Sequence, residues 1–187
     1  MESSRFFKRT MTENRIIFTE KLNISSEIRA SAIEGIHDSK KWVKKERDAL
    51  TWTNYTLMVN IRTHHSFHTD NNAAGIISDT ILSTITRNER EWITRAVWGA
   101  TYNRGEYAVK HSHGEEGTSW VYYLSCCNKC APLVFDEKEI IPETDLLVYF
   151  SSEIEHEVPE QKCSHERIIL AGNIKKDKTM MTWEEAY

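Results

Sequence analysis

The chain has 187 residues, enough to bury a real core as a single domain over 1–187 and short for two full ones. Its 24 basic and 28 acidic residues leave a net charge of -4 and a pI near 6.1, so the bulk charge recruits neither nucleic acid nor an anionic membrane. No apolar run reaches the roughly 18 residues of a membrane span, and MESSRFFKRTMTENRIIF lacks a signal-peptide core; the expectation is a cytoplasmic chain with reduced thiols and no membrane partner.

In chain order, SSEIRASAIEGI predicts a helix opened by Ser25 or Ser26, with Ile28, Ala32 and Ile36 on one face and its end near Gly35 to His37. Beyond it, Lys40, Lys41, Lys44, Lys45 and Arg47 are interrupted by Glu46 and Asp48, the pattern of a solvated helix face. NYTLMVNIR reads as a strand. THHSFHTD then reads as a loop, in which His64, His65 and His68 are better placed to line a substrate entry than to hold a metal. SDTILSTITRNEREW predicts a second helix capped by Ser78 or Asp79.

The texture changes near residue 90. WITRAVWGATY, YAVKHSH, SWVYYLS, PLVF, DLLVYF, HEV and RIILAGN are short runs rich in β-branched and aromatic residues, with Pro132, Pro142 and Pro159 in the gaps. Several are apolar on both faces, as strands covered on two sides would be. The pattern predicts a mainly β fold with flanking helices, a barrel or sandwich. Between two runs, CCNKC supplies two of the four ligands a structural zinc would want. No second CxxC exists, so a closed site would need Cys163 or His165 from far along the chain; the segment reads instead as a turn carrying small, partly buried thiols.

VKHSHGEEG, residues 109–117, places His111 and His113 on one face of a strand, able to grip one ion together. His156 follows the apolar run DLLVYF, and as a third ligand from a distant strand it would leave the opposite face of the ion open for other ligands. Arg167 opens RIILAGN, where a buried guanidinium demands a carboxylate partner. A small dicarboxylate or keto acid, chelating at one end and held by arginine at the other, meets both demands.

The segments YNRGEYAVKHSH, WVYYLS, LLVYFSSEIEHEV and RIILAGN resemble, in order and rough spacing over residues 98–173, the motifs of iron(II)- and 2-oxoglutarate-dependent dioxygenases, particularly the prolyl-hydroxylase-like ones. The resemblance implies a double-stranded β-helix, a jelly-roll or cupin-like barrel, over 91–175, with 1–90 as a helical and strand support region. It implies Fe(II), 2-oxoglutarate as co-substrate, dioxygen, and hydroxylation of a C–H bond in an amino-acid, peptide or small-molecule substrate. By position, His111 and His156 correspond to the histidine ligands, and Arg167 to the residue that binds the distal carboxylate of 2-oxoglutarate. Tyr123 corresponds to the tyrosine that assists it, and Tyr102 to a tyrosine facing the same pocket. Asn173 matches the end of the RxSxxxN strand of a bacterial and phage-associated branch that also carries HxH.

His113 departs from the broader family, which has a carboxylate there. Either three neutral imidazoles hold the iron, or Glu115 or Glu116 supplies the charge and His113 stands behind the metal; direct ligation by His113 is the preferred arrangement. Two other function classes stay open, a three-histidine iron dioxygenase that does not use 2-oxoglutarate and a non-enzymatic jelly-roll binding module.

Overall fold

The computed structural model describes residues 8–12, 15–49, 58–59, 61–88, 91–114, 117–136, 138–177 and 179. In chain order these form β1 (Lys8–Thr12), β2 (Arg15–Lys21), α1 (Ser26–Ala49), β3 (Met58–Val59), β4 (Ile61–Arg62), α2 (Phe67–Asp70) and α3 (Asn72–Thr86). The β-rich half then supplies β5 (Trp92–Tyr102), β6 (Tyr107–His111), β7 (Thr118–Ser125), β8 (Leu133–Phe135), β9 (Lys138–Ile140), β10 (Leu146–Ser151), β11 (His156–Val158) and β12 (Arg167–Lys176). No helix among the described residues is long and apolar enough to cross a membrane.

The strands fall into two sheets. The larger has the order β1-β2-β10-β7-β12-β5-β4 and the smaller β3-β6-β11-β8-β9. From β5 onward the chain passes repeatedly from one sheet to the other, the winding of a double-stranded β-helix or jelly roll. The expected fold class is therefore observed, mainly β with flanking helices, with one correction: the sheets do not close into a barrel. Among the described residues, no hydrogen-bonded strand pair joins them.

Alternation within the large sheet sorts its side chains into two cores. On β7, Trp120, Tyr122 and Leu124 face the helices, while Val121 and Tyr123 face the smaller sheet. On β10, Leu147 and Tyr149 oppose Val148 and Phe150 in the same way; on β12, Ile168 and Leu170 oppose Ile169 and Ala171. Burial on both faces is why these runs look apolar throughout. Arg167 shares the inner face with Ile169 and Ala171, so the sheet's own periodicity carries a guanidinium into the inter-sheet core.

Both helices differ from the expected spans. The Ser25 hydroxyl caps α1, accepting from the Ile28 amide at 3.3 Å, and Ala32 and Ile36 are fully buried against the sheet as predicted. The helix does not stop at Gly35 but runs on to Ala49. Gly35 serves a close approach, since a Cβ there would lie 2.0 Å from Asn71 Nδ2. The second long helix, α3, begins six residues before Ser78 because Asn71 caps it, its side chain accepting from the Ala74 amide at 2.8 Å. Ser78 is buried inside this helix, and Arg87, in the left-handed region at φ 52, ends it before Trp92 starts β5. The loop expected at THHSFHTD contains α2; of NYTLMVNIR, residues 54–57 and 60 lie outside the described residues, and the rest forms β3 and β4, which belong to different sheets.

A polar clamp ties α1 to the large sheet. Arg29 Nη1 donates to Ile24 O at 2.6 Å and to Asp145 Oδ1 at 2.7 Å, and the Tyr122 hydroxyl donates to the same carboxylate oxygen at 2.5 Å. Burial, with the Asp145 carboxylate beside it, holds the Tyr122 hydroxyl far above its ordinary range, so it stays a donor.

Candidate metal and anion site

One register of the smaller sheet builds the first half of the site. His156 on β11 stands directly opposite His111 on β6, and the two rings lie 4.4 Å apart, centroid to centroid. His113 sits beyond the end of β6, where its amide donates to Ser152 O at 2.9 Å; its ring is 5.0 Å from His111 and 5.1 Å from His156. The sequence expectation that both residues of HxH share one strand therefore fails for His113, yet the convergence it implied is present. One nitrogen from each of the three rings lies within 4.8 Å of the others.

Backbone carbonyls fix two of these rings. His111 Nδ1 is 2.7 Å from Val109 O and His156 Nδ1 is 3.0 Å from Ile154 O, so each Nδ1–H donates to a carbonyl and leaves Nε2 as a lone pair. Burial and mutual proximity keep the rings neutral. The His113 pKa falls to about 3 and that of His156 to about 4, each chiefly through burial and then through neighbouring imidazoles; burial lowers His111 as well. Phe150 packs edge-on against His156 at 4.8 Å, and Trp98 lies 5.6 Å from His113. Neutral imidazoles converging from two strand ends in an aromatic wall form a ligand set for a divalent transition metal.

Arg167 builds the second half. It is 0% exposed, with its guanidinium 4.7 Å from the Tyr102 ring and 5.1 Å from the Tyr123 ring. Nη2 donates to the Tyr123 hydroxyl at 3.4 Å, while Nε and Nη1 have no hydrogen-bond partner among the described residues. Burial raises the Tyr123 hydroxyl, and the guanidinium opposes that rise. Two orphaned donors on a fully buried cation are expensive, and a carboxylate bound there would satisfy them. Arg167, Tyr102 and the three histidines line one cavity that opens to solvent. Asn173 reaches it indirectly, accepting at 2.8 Å from the hydroxyl of Ser119, which lines the cavity.

Arg62 on β4 and Trp98 on β5 also line the cavity, and sequence reasoning missed both. Trp98 was hidden in a run apolar on both faces. Arg62 ends NYTLMVNIR and could have been noticed as a charge closing a strand. His64 pairs with Asp70 at 3.0 Å on the surface, and the THHSFHTD histidines form no metal cluster among the described residues. His65 does approach the cavity wall, its ring 5.2 Å from Trp98. Glu115 and Glu116 lie outside the described residues.

No protein-family model and no curated protein matches the sequence. Solved structures match the fold. The viral collagen prolyl hydroxylase of Paramecium Bursaria Chlorella virus-1, in complex with 2-oxoglutarate, is 16% identical with a TM-score of 0.58, covering 84% of this chain and 96% of its own. A prolyl-4-hydroxylase of Pseudomonas putida is 18% identical with a TM-score of 0.56, covering 86% and 92%. HygX of Streptomyces hygroscopicus, with nickel and 2-oxoglutarate bound, is 7% identical with a TM-score of 0.61, covering 87% and 83%. At these identities the likeness establishes the double-stranded β-helix fold of such oxygenases.

Proposed function

We propose that the chain is a non-haem iron(II)- and 2-oxoglutarate-dependent dioxygenase that hydroxylates a C–H bond. The observation that carries this reading is the orphaned, fully buried Arg167 guanidinium in the same cavity as three convergent neutral imidazoles. A metal alone would not explain the arginine, and an anion alone would not explain the histidines. A keto dicarboxylate with one end on the metal and the other on Arg167 accounts for both, and the fold neighbours bound to 2-oxoglutarate support that choice.

In this reading Nε2 of His111 and of His156 and one ring nitrogen of His113 would hold the iron. Iron(II) with 2-oxoglutarate and dioxygen supplies the oxidising power, coupling decarboxylation to succinate with insertion of one oxygen atom into the substrate. The protein's residues bind, orient and shield. Val109 O and Ile154 O keep two imidazoles in the ligating tautomer. Arg167 anchors the distal carboxylate, with the Tyr123 hydroxyl beside it and the Tyr102 ring across it, and Asn173 steadies Ser119 at the wall. Trp98, Phe150 and Val158 exclude water. Because the ligand set is neutral, it leaves the full ionic charge to attract anions, which favours a dianionic co-substrate. Arg62, Trp98 and His65 mark the side from which an amino-acid, peptide or small-molecule substrate would enter.

A second reading draws on the same neutral triad: a three-histidine dioxygenase that oxidises a carboxylate-bearing substrate directly, with Arg167 on the substrate. Anaerobic iron(II) titration with and without 2-oxoglutarate separates the two. A visible charge-transfer band of the chelated keto acid, lost in Arg167→Ala and in His156→Ala, supports the proposal. Tight iron binding with no such band moves the assignment to the second reading, and failure to bind iron leaves a binding module.

A further inference from the structure

The CCNKC turn, unused by the proposed chemistry, meets a third thiol in the folded chain. Cys127 and Cys130, in the turn after β7, converge with Cys163 from the segment before β12, at Sγ–Sγ separations of 3.6 Å (127–130), 3.8 Å (127–163) and 3.6 Å (130–163). Tetrahedral zinc with Zn–S bonds near 2.3 Å sets its sulfur ligands about 3.8 Å apart, so the three thiols already form one face of such a tetrahedron.

The surroundings are those of thiolates. The Lys129 backbone N–H is directed at the Cys127 sulfur, and the Cys130 amide closes the turn by donating to Cys127 O at 3.0 Å. The Cys127 amide donates to Cys130 Sγ at 3.3 Å, and Gln161 Nε2 donates to Cys163 Sγ at 3.3 Å. Gln161 is itself fully buried, with its Oε1 accepting from the Ala131 amide at 2.6 Å and its Nε2 also reaching His165 O at 2.9 Å. N–H donors gathered on every sulfur stabilise negative charge there.

We propose that Cys127, Cys130 and Cys163 bind a structural zinc ion, with His165 as fourth ligand. The three sulfurs lie within 4.8 Å of one another, while the exposed His165 imidazole stands outside that cluster at 3.2 Å from the Ser125 hydroxyl; two residues after Cys163, with its carbonyl 3.7 Å from that sulfur, it would reach the metal by a change of rotamer. Binding releases the thiol protons to solvent and changes no oxidation state. A disulfide accounts for the geometry less well, because it would use two of three equivalent sulfurs and strand the third. The zinc fastens the turn after β7 to the segment before β12, immediately ahead of Arg167.

Cobalt(II) titration of the reduced, metal-free full chain tests this independently of the oxygenase reading, because only sulfur ligands give an intense sulfur-to-cobalt charge-transfer band. Expected are that band, bleached by zinc; its persistence in the His111→Ala/His156→Ala double variant, where it saturates at a single equivalent; and its loss in Cys127→Ser and in Cys163→Ser. Zinc affinity should fall at least tenfold in His165→Ala; unchanged affinity overturns the fourth ligand. Absence of the band in wild-type protein overturns the site, and needs no variant to fold. So does a disulfide among these cysteines in freshly isolated protein.

Discussion

Replacing Arg167 by methionine should separate stability from function in opposite directions. A buried charge left without a counter-ion costs about 3–5 kcal/mol. Two desolvated cation–π contacts, with Tyr102 and Tyr123, offset about 2–4 kcal/mol of that in the ligand-free protein. Methionine fills a similar volume with no polar atom to satisfy, so ligand-free Arg167→Met should be more stable than wild type by about 1–2 kcal/mol, a rise in Tm of about 2–8 °C for a chain of this size. The same change removes the partner of a buried carboxylate. If that contact is worth about 3–5 kcal/mol, 2-oxoglutarate binding should weaken about 150- to 5,000-fold. Thermal unfolding with a redox-inert divalent metal, with and without 2-oxoglutarate, reads both effects: wild type gains stability from the ligand and the variant does not. A variant that loses more than about 2 kcal/mol while keeping its ligand-induced shift would show that Arg167 serves packing, and would refute the reasoning.

Metal-free protein should lose stability in acid. The folded pKa values of His113 (about 3) and His156 (about 4) lie below the unfolded value near 6.5, so the unfolded chain binds more protons between them; stability is full above about pH 6.5 and falls toward pH 4 and below. Urea midpoints across pH 4 to 8 should show this slope, flattened in His113→Ala. Gly172→Ala should destabilise by about 1–3 kcal/mol, since a Cβ there would lie 2.6 Å from Ala96 O and 2.5 Å from Trp120 Cζ2; an unchanged urea midpoint would refute the close packing of β12 on β5. Asp145→Ala, which strips Arg29 and Tyr122 of their shared acceptor, should cost about 1–3 kcal/mol by chemical denaturation, with no loss of metal affinity.

Much of this molecule was legible in order of residues because alternation and punctuation are local signals. SWVYYLS and DLLVYF announced strands buried on both faces, and the sorting of Tyr122 from Tyr123 follows from a period of two. Helix ends were read less well. Gly35 looks like a stop, and only the packing of Asn71 against it shows why a glycine belongs inside α1. Asn71 as a cap was masked by the polar stretch before it. The site was legible in its pieces, since His111, His156 and Arg167 carry chemistry that needs partners. What could not be read was which distant pieces meet. The pairing of β6 with β11 and the meeting of Cys163 with the CCNKC turn depend on topology, and Arg62 and Trp98 gain meaning only once the cavity exists.

The pairing of β2 with β10 bears on how this chain could be shortened. Lys21 to Ile17 run beside Leu146 to Phe150, so a strand from the opening residues closes one flank of the large sheet. Trimming the chain to its recognisable half would bare β10, a flat run of apolar residues whose backbone amides and carbonyls would face water in a row. Such a flank is a template for any other strand in solution. The opening residues thus insulate the fold from its own copies, and a fragment beginning near residue 90 would be expected to clump before it could be assayed.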